Sequence, residues 1–306
     1  MDYHADIRFG PRLLEQTAEA YRKIRNTFRF CLSNLYDFDP PRDALAPEQL
    51  QELDRWVLHR AAELVERCRA WYEGYEFHRL YRALYNFCTV DLSARYFDIV
   101  KDRLYTSAPT AAERRAAQTV LYRIAHALAR LMAPILCFTS EEVWEHLPGA
   151  PAEAASVHLT EFPRREELHP GLAAEKVAAW ETLFAVRTDV LNALEQARQA
   201  KKIRSSLDAQ VYLRVSDTMG PLLESYGAHL PALFIVSAVR LGREARPHAY
   251  QGELPGLETV VERAEGKKCE RCWNYSPRVG AFPSYPTVCE RCAPVLEALA
   301  AGMGVP

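Results

Sequence analysis

The sequence predicts a mainly α protein, in which an antiparallel helical bundle is followed by a small α/β domain and a C-terminal module organised around cysteines. Three observations support this prediction. Apolar residues recur every three or four positions over most of residues 1–148, which is typical of amphipathic helices. The period changes to two at residues 209–215, as in a half-buried strand. Two Cys-x-x-Cys pairs lie close to the end of the chain.

The composition is that of an ordinary soluble globular protein. The chain has 306 residues, 49% hydrophobic and 25% charged, which suggests two or three domains. Its net charge of −2 gives no overall attraction to polyanions, so any contact with nucleic acid must come from local patches. No signal peptide is present, and no apolar run approaches the roughly 18 residues that span a bilayer. We therefore expect a cytoplasmic protein without membrane association.

The bundle is predicted over residues 1–148. The apolar face of its first helix is formed by Leu14, Ala18, Tyr21, Ile24, Phe28, Leu32 and Leu35. Its opposite side is basic and carries Arg22, Lys23, Arg25 and Arg29. Further helices are predicted from after Pro47 to about Gly74, from about Glu76 to Leu104, and from after an interruption at 107–110 to Pro134, which has no amide donor. The segment TSEE at 139–142 is predicted to be a capping box that opens a short helix.

The middle of the chain is predicted as a linker and a small domain. Prolines interrupt residues 149–171, which indicates an extended connection. Residues 172–262 are predicted as an α/β domain. Its elements are a helix at about 172–200, a strand at 209–215, a short helix near 218–228 and strands at 233–241 and 257–262. The segment KKIRSS at 201–206 superficially resembles a nucleotide-binding loop, but no nucleotide-binding sheet surrounds it, and we interpret it as a basic turn.

Residues 263–306 contain the most specific motif. Cys269 and Cys272 form one Cys-x-x-Cys pair, and Cys289 and Cys292 form a second after sixteen further residues. Each pair presents two thiolates on a tight turn, and four soft thiolates without a free position suit one structural Zn²⁺ in a zinc ribbon or knuckle. Two disulfides or a redox pair are the alternative, although a redox motif normally occurs once, at the end of a strand that opens a helix.

The remaining cysteines lie singly within apolar helical patterns. We predict that they are buried free thiols, which indicates a reducing setting: Cys31, Cys68, Cys88 and Cys137. The sequence has no nucleophile elbow, Walker loop, zinc-protease motif or dinucleotide fingerprint, and its nine histidines are dispersed. No catalytic residue is therefore predicted, and the helical start without a catalytic signature suggests a segment of a longer protein.

Two places could bind nucleic acid. The first is the basic side of the first helix, for which a merely solvated helix face is the alternative. The second is the metal module, where basic residues surround aromatic rings on which unpaired bases can stack. Its candidate RNA-binding residues are Lys267, Lys268, Arg271, Trp273, Tyr275 and Arg278. The alternative for Trp273 and Tyr275 is that they pack a small core around the metal.

Four segments resemble one known family. YRKIRNTFRF (21–30), DLSARYFDIVKDRLY (91–105) and LMAPILCFTSEEVW (131–144) resemble the helical anticodon-binding domain of bacterial isoleucyl-tRNA synthetases. KCERCWNY (268–275) is similar to the C-terminal zinc-binding segment of these enzymes. The resemblance covers nearly the whole chain in order. Arg204 departs from the family, which tends to have glycine there; the departure affects the backbone of the turn and offers a further phosphate contact.

The resemblance implies a class I ligase that activates isoleucine with ATP and transfers it to its tRNA. The HIGH-type and KMSKS motifs and the editing domain of the family lie upstream, and none is present here. By resemblance, this chain is the tRNA(Ile)-binding C-terminal part and should be inactive alone. Its implied partners are tRNA(Ile) and the upstream catalytic and editing domains, and we expect a monomer with one structural Zn²⁺.

Two other functions remain open at this stage. A non-catalytic adaptor could use the zinc ribbon and bundle to bind protein, and it should show no preference among tRNAs. A DNA-repair glycosylase could have a zinc finger of similar spacing. Those enzymes begin with a catalytic Pro-Glu, whereas this chain begins Met1-Asp2-Tyr3.

Overall fold

The structure is a computed structural model that describes residues 6, 10–168 and 171–302. The described residues form two compact units. The first unit consists of the described residues of Met1–Leu104 and Thr110–Ala173. The second consists of the described residues of Tyr105–Pro109 and Ala174–Pro306. No helix in these residues combines the length and apolarity that crossing a bilayer requires.

The first unit has only helices and turns in its described residues. Its helices are α1 (Pro11–Ser33), α2 (Pro40–Asp43), α3 (Glu52–Glu73), α4 (Phe77–Asn86), α5 (Asp98–Thr106, which reaches into the second unit), α6 (Ala112–Met132), α7 (Cys137–His146), α8 (Ala150–Glu153) and α9 (Arg165–Leu168). A π-helical segment, Phe87–Phe97, joins α4 to α5 without a break. Pro11 opens α1, where its fixed φ suits the helix and its missing N–H is not needed. The predicted helical bundle is confirmed.

The core of this unit combines large apolar side chains with one buried ion pair. Phe28 and Trp144 are among the fully buried side chains. The buried Asp54 carboxylate accepts hydrogen bonds from Arg103 Nη2 at 2.6 Å and from the Tyr96 hydroxyl at 2.7 Å. Removing either Arg103 or Asp54 would leave the other charge buried without a partner, which typically lowers the free energy of unfolding by about 3–5 kcal/mol.

The capping box predicted at 139–142 is wrong. Helix α7 begins at Cys137, and the amide of Ser140 already donates to Leu136 O at 2.8 Å. Thr139 therefore lies inside the helix, where its Oγ1 hydrogen-bonds to the hydroxyl of Tyr21 at 3.0 Å. The helix starts earlier because α6 ends in one tight turn, in which Leu136 N donates to Met132 O at 2.8 Å.

The extended conformation predicted for 149–171 is wrong in part. Two short helices, α8 and α9, and a 3₁₀ turn at Val157–Leu159 lie in this stretch. Pro151 lies in the first turn of α8, where proline is favoured and does not break the helix. Val157 and Leu168 are buried, and α9 packs on α3. The apolar residues between the prolines thus hold the segment against the bundle.

The prediction for the single cysteines holds at three positions and is wrong at one. Cys31, Cys68 and Cys88 are buried free thiols, and burial raises the pKa of Cys68 and Cys88 to about 12. Cys137 is exposed, because it is the first residue of α7 and the buried side of that helix carries other residues.

The second unit is a small α/β fold with the cysteine module at its end. Its helices are α10 (Ala174–Gln199), α11 (Gly220–Ser225), α12 (Leu230–Phe234) and α13 (Ala293–Ala300). Its strands are β1 (Ala209–Val215), β2 (Ala238–Gly242), β3 (Tyr250–Gln251), β4 (Leu257–Arg263), β5 (Lys267–Lys268) and β6 (Tyr275–Ser276). The main sheet has the order β2-β1-β4-β3, with β1 parallel to β2 and antiparallel to β4. Helix α10 packs on β4.

The strand predicted at 233–241 is wrong for its first residues and right for its last ones. Its first residues belong to α12, which has Pro231 in its first turn and ends at Ile235 in a left-handed conformation with φ 56°. Strand β2 starts only at Ala238, and there Leu241 lies beside Leu213 of β1. The short edge strand β3 was not predicted, since two residues carry no detectable alternation.

Candidate metal centre and its basic surface

The first cysteine pair lies on a hairpin between β5 and β6. Lys268 and Tyr275 are directly opposite each other in this pair of strands. The turn is closed by Trp273 N donating to Cys269 O at 2.9 Å and Cys269 N donating to Asn274 O at 2.8 Å. Both cysteines of the pair therefore point towards the same side, as binding of one shared metal ion requires.

The second pair lies on a turn that leads into α13. The amides of Cys292 and Ala293 both donate to Cys289 O at 3.0 Å. Glu270 N donates to Thr287 O at 3.1 Å, which ties the two turns together. Two turns formed by sequence-local hydrogen bonds are thus fixed face to face.

The four thiol sulfurs of Cys269, Cys272, Cys289 and Cys292 form one buried cluster. All lie within 4.8 Å of one another, and the sulfurs of Cys272 and Cys289 are 3.6 Å apart. Sulfurs about 2.3 Å from a tetrahedral Zn²⁺ would be separated by roughly 3.8 Å, and a disulfide bond by only about 2.05 Å. All four cysteines are free, and the cluster is compatible with one structural zinc ion.

The cluster is surrounded by groups that stabilise negative charge on sulfur. Cys289 N donates to the Cys269 sulfur at 3.3 Å, and Asn274 Nδ2 lies 3.7 Å from the Cys272 sulfur. Arg271 Nη1 lies 3.6 Å from the Cys292 sulfur. Such outer contacts orient ligands and support their deprotonated form.

The sulfurs also shift one another's acidity. A hydrogen bond from the Cys292 thiol lowers the pKa of Cys272. The same hydrogen bond raises the pKa of Cys292, and burial raises the pKa of Cys289. A divalent ion bound among the four sulfurs would stabilise their deprotonated forms together.

Trp273 does not belong to the small core around the sulfurs. That core contains Val279, Val288 and Ala293, with Phe282, Tyr285 and Leu296 packed on it. Trp273 is 59% exposed and has φ 65°, a left-handed conformation that is uncommon for a bulky residue. The alternative in which Trp273 packs the metal core is therefore wrong. Tyr275 is half-buried, and its amide donates to Ser237 Oγ at 2.7 Å.

The basic residues predicted around Trp273 fall into two groups. Lys267, Lys268 and Arg278 are exposed, and Lys268 Nζ lies 5.5 Å from the centre of the indole ring. Arg271 differs, because its half-buried guanidinium donates to the carbonyl oxygen of Thr106 and contacts a cluster sulfur. Thr106 belongs to the 105–109 segment of the same unit. Arg271 thus supports the module, and its contact with tRNA stays a prediction.

The predicted basic side of α1 is exposed but largely paired. Arg22 lies 3.0 Å from Glu19, and Arg25 lies 3.4 Å from Glu142. Lys23 donates to the Tyr85 hydroxyl at 3.2 Å, and this hydrogen bond raises the pKa of Lys23. Arg29 is exposed and has no ion pair among the described residues.

In one basic segment near the metal module, the sequence indicated a phosphate contact for Arg204 but not for its two neighbouring lysines. Lys201, Lys202 and Arg204 are exposed in the turn between α10 and β1. The sequence indicated their charge, but the segment lies more than sixty residues before the cysteines, and only the fold relates the two regions. Arg204 has an ordinary negative φ, so this turn does not need the glycine usual in the resembling family.

Sequence comparison defines the class of protein. The chain belongs to the family described as the anticodon-binding domain of tRNA ligases, whose pattern matches residues 54–213, more than half of the chain. A second family, described as a zinc finger found in FPG and IleRS, matches residues 266–295.

Individual relatives narrow this class. The chain is 48% identical over 298 residues to the isoleucine–tRNA ligase of Carboxydothermus hydrogenoformans, a match that covers 97% of this chain and 32% of the relative. It is 47% identical over 306 residues to that of Symbiobacterium thermophilum and 45% identical over 301 residues to that of Desulforudis audaxviator, with the same two shares of coverage. The chain thus spans about a third of the length of these curated relatives.

These matches decide between the functions left open by the sequence. The resemblance to the C-terminal region of bacterial isoleucyl-tRNA synthetases is confirmed. The zinc-finger family alone would leave the glycosylase alternative open, because its description names FPG as well as IleRS. The match to the anticodon-binding family and the similarity of 97% of this chain to isoleucine–tRNA ligases favour the ligase interpretation over both alternatives.

Proposed function

We propose that this chain is the tRNA(Ile)-binding part of an isoleucine–tRNA ligase and that it recognises the anticodon arm. Activation of isoleucine with ATP and aminoacylation belong, in this proposal, to catalytic and editing domains outside these 306 residues. The observation that carries the proposal is the exposed Trp273 beside Lys268, on a hairpin that carries two of the four clustered cysteines. The chain would act as a monomer in the cytoplasm.

The geometry of Trp273 supports base stacking. Anticodon bases are single-stranded and unstacked, so an aromatic ring can cover one face of a base. Each such contact is worth about 1–3 kcal/mol. An exposed ring gains little by packing on its own module, and the left-handed backbone at Trp273 adds a cost. Binding an external flat ligand accounts for both features.

Zinc would make this platform rigid. We propose Cys269, Cys272, Cys289 and Cys292 as the four ligands of one ion. The core of the module is small, and segments of this size rarely fold without a metal or disulfides. In this proposal the metal ion is structural, and its role is to fix the hairpin that presents Trp273.

Charged residues would supply the remaining affinity. Lys267, Lys268 and Arg278 are exposed around the hairpin and can reach phosphates, and half-buried Tyr275 would support the platform. The basic side of α1, with Arg22, Lys23, Arg25 and Arg29, would follow the anticodon stem. Arg271 is proposed to act chiefly through the Cys292 turn.

The test is the selectivity of the 306-residue chain for one tRNA. Binding of tRNA(Ile), of the same tRNA with its anticodon bases replaced, and of an unrelated tRNA should be compared at one fixed salt concentration. We expect tightest binding to tRNA(Ile), a loss on anticodon replacement, and a loss of the preference after zinc is chelated. Equal binding of all three RNAs would contradict the proposal and favour an adaptor.

A further inference from the structure

The basic turn after α10 has a defined backbone. Lys202 N donates to Ala197 O and Lys201 N to Arg198 O, both at 2.9 Å, which is the hydrogen-bond pattern of a Schellman helix end. The residue that takes the left-handed conformation in this motif is usually glycine, but here it is Lys201, with φ 58°. A side chain at this position costs roughly 1 kcal/mol or more, and folding alone would favour glycine.

The turn is fixed on its other side by one carboxylate. Asp208 Oδ2 accepts hydrogen bonds from the amides of Arg204 at 3.0 Å and Ser205 at 2.9 Å. The carbonyl of Asp208 accepts from Ala264 N at 2.8 Å, just beyond β4. The backbone that presents Lys201, Lys202 and Arg204 is therefore fixed to the end of α10 on one side and to the sheet, through Asp208, on the other.

A single hydroxyl joins this turn to the metal module. Ser237 Oγ donates to Leu207 O at 2.5 Å and accepts from Tyr275 N at 2.7 Å. Tyr275 is the partner of Lys268 across the β5–β6 hairpin. Lys268 also contributes to lowering the pKa of Asp208. The basic turn and the Trp273 hairpin are thus joined through Ser237, and Lys268 of the hairpin lies on the side that faces Asp208 of the turn.

The cations of this turn and of the hairpin make no ion pairs within the part of the chain that the structure describes. Among the described residues, none of the side chains of Lys201, Lys202 or Arg204 makes an ion pair. The same holds for Arg263, Lys267 and Lys268. Glu195, the acidic residue on the last turns of α10, is already paired with Arg198. A run of unneutralised cations beside an aromatic platform favours a phosphodiester backbone whose bases reach the ring.

We propose that Lys201, Lys202 and Arg204 bind phosphates of the same RNA whose unpaired base stacks on Trp273. This inference rests on the proposed function and extends its site from the zinc hairpin to the turn after α10. The turn reads no base. Its contacts fix the register of the strand on the platform, so they add affinity equally for every sequence.

The test is the salt dependence of RNA binding by the full chain. Affinity for tRNA(Ile) and for an unrelated tRNA should be measured at several KCl concentrations for the wild type and for the triple variant K201G/K202A/R204A. Each lost phosphate contact reduces the slope of log K against log salt by about 0.7–0.9, so we expect a loss of about 2. The wild-type advantage should then shrink roughly sixteenfold between about 50 mM and about 200 mM salt.

Two controls separate binding from folding. The double variant R240A/R243A removes two cations of the same unit that are paired with Glu265 and Asp217, and its slope should stay close to that of the wild type. The single variant K201G should weaken RNA binding while its Tm equals or exceeds the wild-type value, because glycine relieves the left-handed backbone.

The outcomes distinguish this inference from the function beneath it. A wild type that binds RNA with a slope unchanged in the triple variant would overturn the phosphate site alone. A loss of affinity for tRNA(Ile) only, with the unrelated tRNA unaffected, would also overturn it, because backbone contacts cannot select. A wild type without preference for tRNA(Ile) would overturn the proposed function, and the slope would still report whether the turn contacts phosphate.

Discussion

Two regions of this molecule have similar numbers of basic residues and differ in what those residues already contact. On α1, Arg22 and Arg25 are paired with Glu19 and Glu142, and Lys23 with Tyr85. In the second unit, by contrast, the side chains of Lys201, Lys202, Arg204, Lys267 and Lys268 make no ion pair among the described residues. A paired cation must give up its partner before it contacts phosphate, whereas an unpaired one loses only water and counterions. The two regions therefore differ less in how many cations they carry than in how many of those cations are free to contact phosphate.

The largest expected effect follows from removing the metal. Cys289→Ser should reduce bound zinc from about one ion per chain to a small fraction, because three thiolates no longer close the tetrahedral site. The hairpin should then lose its fixed position, and affinity for tRNA(Ile) should fall roughly 100-fold, since stacking and aligned phosphate contacts disappear together. Metal analysis and RNA titration of the same preparation measure both quantities.

Cys137→Ser is the matched control for that prediction. Cys137 is an exposed cysteine of the first unit, far along the chain from the cluster, so zinc content and RNA affinity should be unchanged. Retention of wild-type RNA affinity by a zinc-free Cys289→Ser protein would show that the second unit is not the dominant binding region, and the comparison between the two regions would be reversed.

The next effect isolates the aromatic ring from the metal. Trp273→Gly should keep zinc binding and leave the free energy of unfolding equal or slightly higher, because glycine suits φ 65°. Affinity for tRNA(Ile) should fall by about 1–3 kcal/mol, which is roughly fivefold to 150-fold. Phe138→Ala removes an even more exposed ring, 93% accessible, from the first unit and should leave affinity unchanged. Equal losses in both variants would indicate that exposed aromatic rings act without regard to location.

A smaller effect is expected from loosening the basic turn. Asp208→Ala removes two amide hydrogen bonds to a carboxylate and should lower the free energy of unfolding of the second unit by about 1–3 kcal/mol. RNA affinity should fall several-fold, because Lys201 and Arg204 lose their fixed positions. Asp217→Ala removes an exposed carboxylate of the same unit and serves as the control for the unfolding measurement. Thermal denaturation and RNA titration report the two effects separately.

The same variant has a predictable pH dependence. Burial acts to raise the pKa of Asp208, but the amides of Ser205 and Arg204 outweigh it and lower the pKa below its usual value. A depressed carboxyl pKa stabilises the folded state above the unfolded pKa of about 3.9. The difference in unfolding free energy between wild type and Asp208→Ala should therefore be constant near neutral pH and shrink as the pH falls through the folded pKa. A difference that persists undiminished at low pH would contradict the role of the carboxylate.

The sequence predicted those features that are encoded locally. The helix periods, the strand at Ala209–Val215 and the two cysteine pairs depend on spacing within a few residues, and the structure contains all of them. The pairing of charges is different, because Arg25 meets Glu142, which is 117 residues away. The tie between the basic turn and the zinc hairpin likewise depends on Ser237, which belongs to neither segment.

Arg271 illustrates why the site could be predicted only in part. Its place inside the Cys-x-x-Cys pair indicated an exposed cation for RNA, but the carbonyl that receives it is Thr106, 165 residues earlier in the chain. The exposed Cys137 has a similar explanation, since the start of α7 was displaced by the turn at 133–136. Local patterns identify which residues can do chemistry, and tertiary contacts decide which of them are available.

The smallest expected effect tests directly whether ion pairing on α1 limits its contact with RNA. Glu19→Ala combined with Glu142→Ala should release Arg22 and Arg25 without altering any cation. Exposed helix-surface ion pairs are worth about 0.2–0.5 kcal/mol each, so freeing two of them should tighten RNA binding about twofold to fivefold and steepen its salt dependence. The double variant E145A/E166A makes the same change in net charge at two exposed glutamates that have no ion pair among the described residues, and it corrects for general electrostatic attraction. If the two double variants bind tRNA(Ile) equally well, the pairing on α1 does not limit its use, and the difference between the regions must come from where the RNA lies.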